Sequence, residues 1–279
     1  GLGTFQPSEI AKVAVIMYFS SRLSKRNTEK PVRLSPRSPL SGVVGVLDRI
    51  GLLELVPYGL ILLLIVFLMS REPHMSGTLL ILAGAAAVLF AAGIKLRWFA
   101  LGASALVGLL LLVMQDYQST RILVWQDPWS YKQDGGWQII QSLYAIGSGG
   151  LLGLGLGKSR QKFLYLPEPE NDFIFAIVCE ELGLIGAAVI LILFALLVIR
   201  GYWIAIHARD RFGALLVVGI TTLTAVQVFL NIAVVTNLIP TTGISLPFFS
   251  YGGTALMIQL AEMGVVLSVS RQIPPTKQE

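Results

Sequence analysis

Apolar runs of about 18 residues or more recur along this chain, and a run of that length is what a helix needs to cross the ~30 Å hydrocarbon core of a bilayer. They fall near Phe5–Ser21, Leu52–Met69, Met75–Ala92, Trp98–Met114, Phe173–Ile199, Phe212–Asn237 and Phe248–Val269. Backbone polar groups at membrane depth must be bonded internally, which such runs achieve as helices. The expected fold is therefore an all-α polytopic membrane protein with about seven transmembrane helices. It forms one membrane domain over residues 1–279. The composition agrees: 54% of residues are hydrophobic and 13% charged, with a mean hydropathy of +0.73. A soluble domain carries about 25% charged residues.

The cations set the orientation. Of the 21 Lys and Arg, seven lie in Arg22–Arg49, two in Lys95–Arg97, three in Arg200–Arg211 and two in Arg271–Lys277. The positive-inside rule makes these segments cytoplasmic. The intervening segment Gln115–Asp172 has five basic and six acidic residues, and Asn237–Pro247 has neither. Seven crossings satisfy this alternation, with Gly1 outside and Glu279 inside. Residues 22–51 then form a basic cytoplasmic loop with Pro31, Pro36 and Pro39. It serves as a topology-setting linker or as a dock for anionic lipid or a cytoplasmic partner. Residues 115–171 form one large extracytoplasmic loop, whose Trp and Tyr residues favour the headgroup zone. Within it, Ile139–Gly157 is apolar but rich in glycine. An eighth crossing there would invert the charge pattern, so it is expected outside, as an interfacial or partly re-entrant segment.

Several classes are excluded. The single cysteine, Cys179, precludes an intrachain disulfide and a Cys-based zinc site, and two histidines cannot make a His-rich one. The net charge of +5 is distributed as topology signals, not as a nucleic-acid patch. No signal peptide is expected, because Phe5–Ser21 has no basic leader or small-residue cleavage site. The chain opens almost on top of a span, as a piece of a longer protein would.

The candidate chemistry clusters at the outer surface. KFLYLPEPENDFIFAIVCEELG (Lys162–Gly183) sets an acidic, proline-broken segment against an apolar helix, with Asp172 at the junction. A carboxylate there can take a proton from a substrate whose polar head lies in the interface. Asp172 is equally suited to cap the helix, and the two roles are compatible. Glu170, two residues away, would favour keeping one of the two carboxyls protonated. Glu9 and Lys12 stand three apart on one helix face, within pairing reach. Ionisable groups inside a membrane face a partner or a wet cavity, so this pair is a structural tie or a cavity wall; Glu262 is another partner for Lys12. Glu180 and Glu181 diverge by ~100° on their helix, so at least one faces the bundle interior. Gln227 and Asn231 form a polar stripe suited to bonding between helices.

Pro240 to Gly253 enters the last span as irregular backbone, tolerated at membrane depth only where it is buried or lines a cavity. Its end, Ser250, Tyr251, Gly252 and Gly253, is a candidate site wall. Lys158, Arg160 and Lys162 form a basic cluster, a solvated run or a pyrophosphate contact, and Arg121 is a further candidate. Gly157-Lys158-Ser159 is no P-loop, because the first glycine of that motif would fall at Leu152.

These stretches carry a resemblance. FQPSEIAK at the start, REPHMSGT at Arg71–Thr78, GGWQIIQSLYAIGSGGLLGLGLGKSRQKFLYLPEPENDFIFAIVCEELG at Gly135–Gly183 and IPTTGISLPFFSYGG at Ile239–Gly253 occur in family order over almost the whole chain. The sequence resembles the SEDS family of FtsW, RodA and SpoVE. The resemblance implies a ten-span inner-membrane protein, of which these runs match the last seven. It implies an enzyme that polymerises lipid II into glycan strands in division, elongation or sporulation. Asp172 matches the family's loop aspartate, and Glu9 and Lys12 its intramembrane pair. The chain departs at Glu170-Asn171, where members often carry His-Thr, so the field around Asp172 differs.

The reading is a peptidoglycan glycosyltransferase in which Asp172 takes the proton of the acceptor sugar. Lys158, Arg160, Lys162 or Arg121 would stabilise the leaving pyrophosphate. The sequence shows no dedicated metal site; a divalent cation, Mg2+ or Mn2+, could share that role. The implied partners are lipid II, a class B penicillin-binding protein and the lipid bilayer, with no nucleic acid. Two other classes stay open: a lipid II flippase using Glu9, Lys12 and Glu262 as a polar path, and a non-enzymatic scaffold for a transpeptidase.

Overall fold

The computed structural model describes residues 6–25, 52–69, 75–102, 104, 116–163, 166–167 and 170–273. Its elements are helices: α1 (Pro7–Ser24), α2 (Leu52–Met69), α3 (Met75–Ala91), α4 (Asp116–Gln126), α5 (Gly136–Gly149), α6 (Ile174–His207), α7 (Arg211–Val235) and α8 (Gly253–Ser270). A 3-10 turn, Lys132–Asp134, precedes α5. Residues 96–102 are also helical, at the start of the run expected from Trp98; most of that run, and the basic stretch 22–51 beyond residue 25, lie outside the described residues.

Among the described residues three helices are long and apolar enough to cross a membrane: Ile174–His207, Arg211–Val235 and Gly253–Ser270. Leu55–Met69 and Ser76–Ala91 are shorter apolar helices. The run expected near Phe5–Ser21 is the 18-residue α1, which carries Glu9, Lys12 and Arg22 among its apolar residues. The long helix reaches His207, so Arg200 stands on a helix and the connection to α7 is short. Asp210 caps α7 by accepting a bond from Gly213 N at 2.9 Å, which satisfies one otherwise free N–H.

The bundle is built around α7. Of its most apolar stretch 61% is buried, against 17% for α6 and 22% for α8. Helix α1 buries Glu9, Lys12, Ile16, Phe19, Ser20 and Leu23, spaced for one face of a helix. It meets α3 and α7 at Gly219, where an added Cβ would lie 2.5 Å from Ile16 and 2.7 Å from Val88. Small residues allow such close approach in lipid, where packing replaces the hydrophobic effect between helices. Tyr58 of α2 stacks edge-on against Phe19, with centroids 5.0 Å apart. The far part of α6 instead exposes Leu184, Ile185, Val189, Ile192, Leu193 and Ile199. In water such a stripe would be an association surface; lipid solvates it.

The stretch 115–171 contains much helix. Its α4 is clasped to the end of α7: Trp125 Nε1 donates to the Asn237 carbonyl at 3.1 Å, and Asn237 Nδ2 to the Trp125 carbonyl at 3.4 Å. The turn after α4 closes on Asp127, whose carboxyl accepts from the Ser130 hydroxyl and from the Ser130 and Trp129 amides. Those bonds, the hydroxyl's foremost, hold it below its ordinary carboxylate range. Helix α5 lies along the first turns of α6, and Ser142 Oγ donates to the Val235 carbonyl at 2.8 Å.

Candidate active site

The site is organised by a break in α6. Gly183 has φ 66° and ψ −171° inside an otherwise helical run, a conformation open essentially to glycine alone. The break frees backbone groups, and the chain after α5 takes them up. Leu154 N and Gly155 N donate to the carbonyls of Glu180 and Glu181 at 2.9 and 3.0 Å. Leu184 N and Ile185 N donate to those of Gly150 and Leu151 at 2.9 and 3.2 Å. The backbones touch: a Cβ on Gly153 would sit 2.2 Å from the Glu181 oxygen, and one on Gly183 2.3 Å from Gly153 N. The glycines in the stretch 139–157 thus dock irregular backbone into a helix, where every group must find a partner.

The two adjacent glutamates continue the same contact with their side chains. Glu180, 1% exposed, accepts from the Ser159 hydroxyl, from Arg160 N at 3.0 Å and from Gln161 N at 3.4 Å. Glu181 accepts from Gly157 N at 2.9 Å, Ser159 N at 3.2 Å and Lys162 Nζ at 2.8 Å. Both carboxylates therefore bind the turn 157–162. The sequence pointed at least one of them inward; the basic turn as their shared partner was not legible.

Across from this turn lies the loop before α8, held by the polar stripe of α7. Gln227 Nε2 donates to the Ser245 carbonyl at 3.0 Å, and Asn231 Nδ2 to those of Ile244 and Asp172, both at 2.7 Å. The stripe expected to bond helices instead grips loop backbone. Gln259 of α8 accepts from Phe248 N at 2.9 Å, where Phe248 adopts a left-handed φ of 65°. Ser250 Oγ accepts from Leu246 N at 2.7 Å, and Tyr251 N donates to the Glu170 carbonyl at 2.7 Å.

Between the two lies a cleft of 720 Å3 at the N-terminal ends of α6 and α8. Lys162, Glu170 and Glu181 are its charged wall residues, and Ser250, Tyr251, Gly252 and Gly253 its far side. Tyr251 is 78% exposed and stands at the rim. Asp172 is not itself a wall residue: it lies in sequence between Glu170 and Ile174, which are, with its Oδ2 3.9 Å from where a Cβ on Gly243 would be. Phe173, not Asp172, is the residue at the N-cap of α6. Lys158 and Arg160 are exposed on the turn beside the cleft and not on its wall. Arg121 is also off the wall, its Nη1 donating to the Thr241 carbonyl at 2.8 Å.

Glu9 and Lys12 form a second polar centre. They are buried, and the Lys12 ammonium reaches both Glu9 oxygens at 2.8 Å. Glu262 of α8, also buried, is within electrostatic reach of both. Among the described residues no three His, Cys, Asp or Glu side chains gather to hold a metal ion.

Fold and site together define a polytopic helical membrane protein with a polar cleft at one end of its helices. The family model of FtsW, RodA and SpoVE, described as cell cycle protein, matches residues 1–274. The chain belongs to that family. It is 43% identical to the stage V sporulation protein E of Bacillus subtilis (strain 168), covering 97% of this chain and 70% of that one. It is also 43% identical to the probable peptidoglycan glycosyltransferase FtsW of Geobacter sp. (strain M18), covering 96% and 69%. Among solved structures, it is similar to a chain of a peptidoglycan synthase complex that coordinates polymerization and crosslinking (28% identity, TM-score 0.68, covering 99% of this chain and 72% of that one). It is likewise similar to the rod shape determining protein RodA of Thermus thermophilus (27% identity, TM-score 0.55, covering 99% and 67%).

Proposed function

We propose that this protein is a peptidoglycan glycosyltransferase that polymerises lipid II in the bacterial cytoplasmic membrane. The observation that carries this is the 43% identity, along 96% of the chain, to a relative named as such a glycosyltransferase. The cleft supports it with carboxylates, a lysine and an irregular loop gathered at the N-terminal ends of α6 and α8.

Asp172 acts as the general base. The acceptor sugar's 4-hydroxyl loses its proton to the Asp172 carboxylate, and its oxygen attacks the anomeric carbon of the growing strand. The bond from that carbon to the diphosphate oxygen breaks, with inversion. Charge grows on the leaving diphosphate, and Lys162 on the cleft wall offsets it, with Lys158 and Arg160 beside it. In this reading residues 115–171 lie outside and the C-terminus in the cytoplasm, as the distribution of Lys and Arg supports, with seven spans matching the last seven of ten. A class B penicillin-binding protein crosslinks the strands; the exposed apolar stripe of α6 is suited to a partner's single span as well as to lipid.

The test is polymerisation of lipid II by the full-length protein in liposomes, with wild type beside Asp172→Asn. Strands from wild type and a loss of ~100-fold or more in a folded variant are expected. Equal synthesis by both would remove Asp172 as the base. Protein-dependent transfer of lipid II between leaflets without strands would turn the reading to a flippase.

A further inference from the structure

Three donors converge on one carboxylate at the cleft wall. Gly157 N, Ser159 N and Lys162 Nζ reach Glu181 at 2.9, 3.2 and 2.8 Å, and Glu181 and Lys162 both line the cleft. Gly155 and Gly157 have φ of 102° and 77°. The glycines let the turn aim alternate amides, those of Gly157 and Ser159, at one anion, while Lys158 N between them donates to the Gly155 carbonyl at 3.1 Å. Two amides joined by an ammonium suit phosphate oxygens better than a carboxylate, because a phosphate brings more charge and more acceptors to the same donors.

We propose that these donors form a diphosphate subsite, which Glu181 occupies as an internal anion until the substrate's diphosphate displaces it. This rests on the lipid-diphosphate substrate of the proposed function. Glu180 gives the turn a second hold, through the Ser159 hydroxyl, Arg160 N and Gln161 N, that remains when Glu181 leaves. Lys158 and Arg160, exposed on the same turn, are placed to meet the second phosphate, and Glu170 is the other acidic group on the wall. Glu181 and Lys162 both face the cleft, so the exchange of one anion for another takes place at its wall.

The sign of one substitution tests this. The full-length protein in nanodiscs is titrated with inorganic pyrophosphate by calorimetry, as wild type, Glu181→Gln and Lys162→Met. Removing the competing carboxylate should tighten pyrophosphate binding about tenfold, and removing the ammonium should weaken it about tenfold, the scale of one charge-assisted bond. Unchanged or weaker binding by a folded Glu181→Gln overturns the subsite. If that variant does not fold, an affinity that Lys162→Met leaves unmoved overturns it as well, as does wild-type protein that binds no pyrophosphate. Strand formation by wild type is measured alongside. Strands from protein that fails the binding tests would remove the subsite and keep the polymerase; both affinity shifts without strands would keep the subsite and remove the polymerase.

Discussion

Asn231 holds Asp172 by its backbone: its Nδ2 donates to the Asp172 carbonyl at 2.7 Å and, at the same distance, to the carbonyl of Ile244. One amide thus ties the segment bearing the proposed base to the loop that walls the cleft. Asn231→Leu keeps the volume and removes both bonds. A loss of ~1–3 kcal/mol in stability is expected, with a fall of 10- to 100-fold in strand synthesis, because a small misplacement of a reacting group is costly. Wild-type turnover in the folded variant would show that Asp172 is positioned by other groups.

Gly183→Ala adds strain at φ 66° and drives a Cβ to 2.3 Å from Gly153 N. We expect at least ~2 kcal/mol of destabilisation, from the backbone conformation and the overlap together. Gly264 in α8 has open space around its Cβ position. Gly264→Ala should be neutral or stabilising by up to ~1 kcal/mol. Thermal melting in detergent compares the two; equal melting temperatures would mean that the α6 break is not as tight as described.

For Glu9 and Lys12, removing one partner strands the other as a buried charge. Glu9→Gln or Lys12→Met alone should cost ~3–5 kcal/mol, and the double variant much less. If the pair also serves as a cavity wall, the double variant recovers its folding but not its synthesis. Recovery of both, in melting and strand assays on one preparation, would make the pair a structural tie only.

Arg121 was a candidate substrate contact, and the structure uses it to brace Thr241. Arg121→Ala should lower the melting temperature, with ~1–3 kcal/mol lost, and speed proteolysis within 237–243, while leaving KM for lipid II unchanged. A raised KM with unaltered melting would return Arg121 to the substrate.

The apolar runs, the helical class and the relation to FtsW, RodA and SpoVE were legible in the sequence, because run length and residue type carry them locally. Lys162 and Ser250–Gly253 were candidates on separate grounds, together with Arg121, Lys158 and Arg160, and only the tertiary structure sets Lys162 and that loop along one cleft. Not legible were the α6 break and the partners of its two glutamates. Gly183 reads as one more glycine in an apolar helix until the chain near Gly153 is laid against it. Asn231 and Gln227 likewise show a polar stripe without its object.

That division has a physical cause. Transfer into lipid acts on each segment as a sum over its own residues, so length and polarity settle which segments become helices. The hydrogen-bond partners of a broken helix, a buried carboxylate or a turn depend on groups 20 to 30 residues away, such as Gly153 for Gly183 and Ser159 for Glu180. They are chosen only when packing brings the segments together, because each buried donor and acceptor must then be matched by whatever lies across from it.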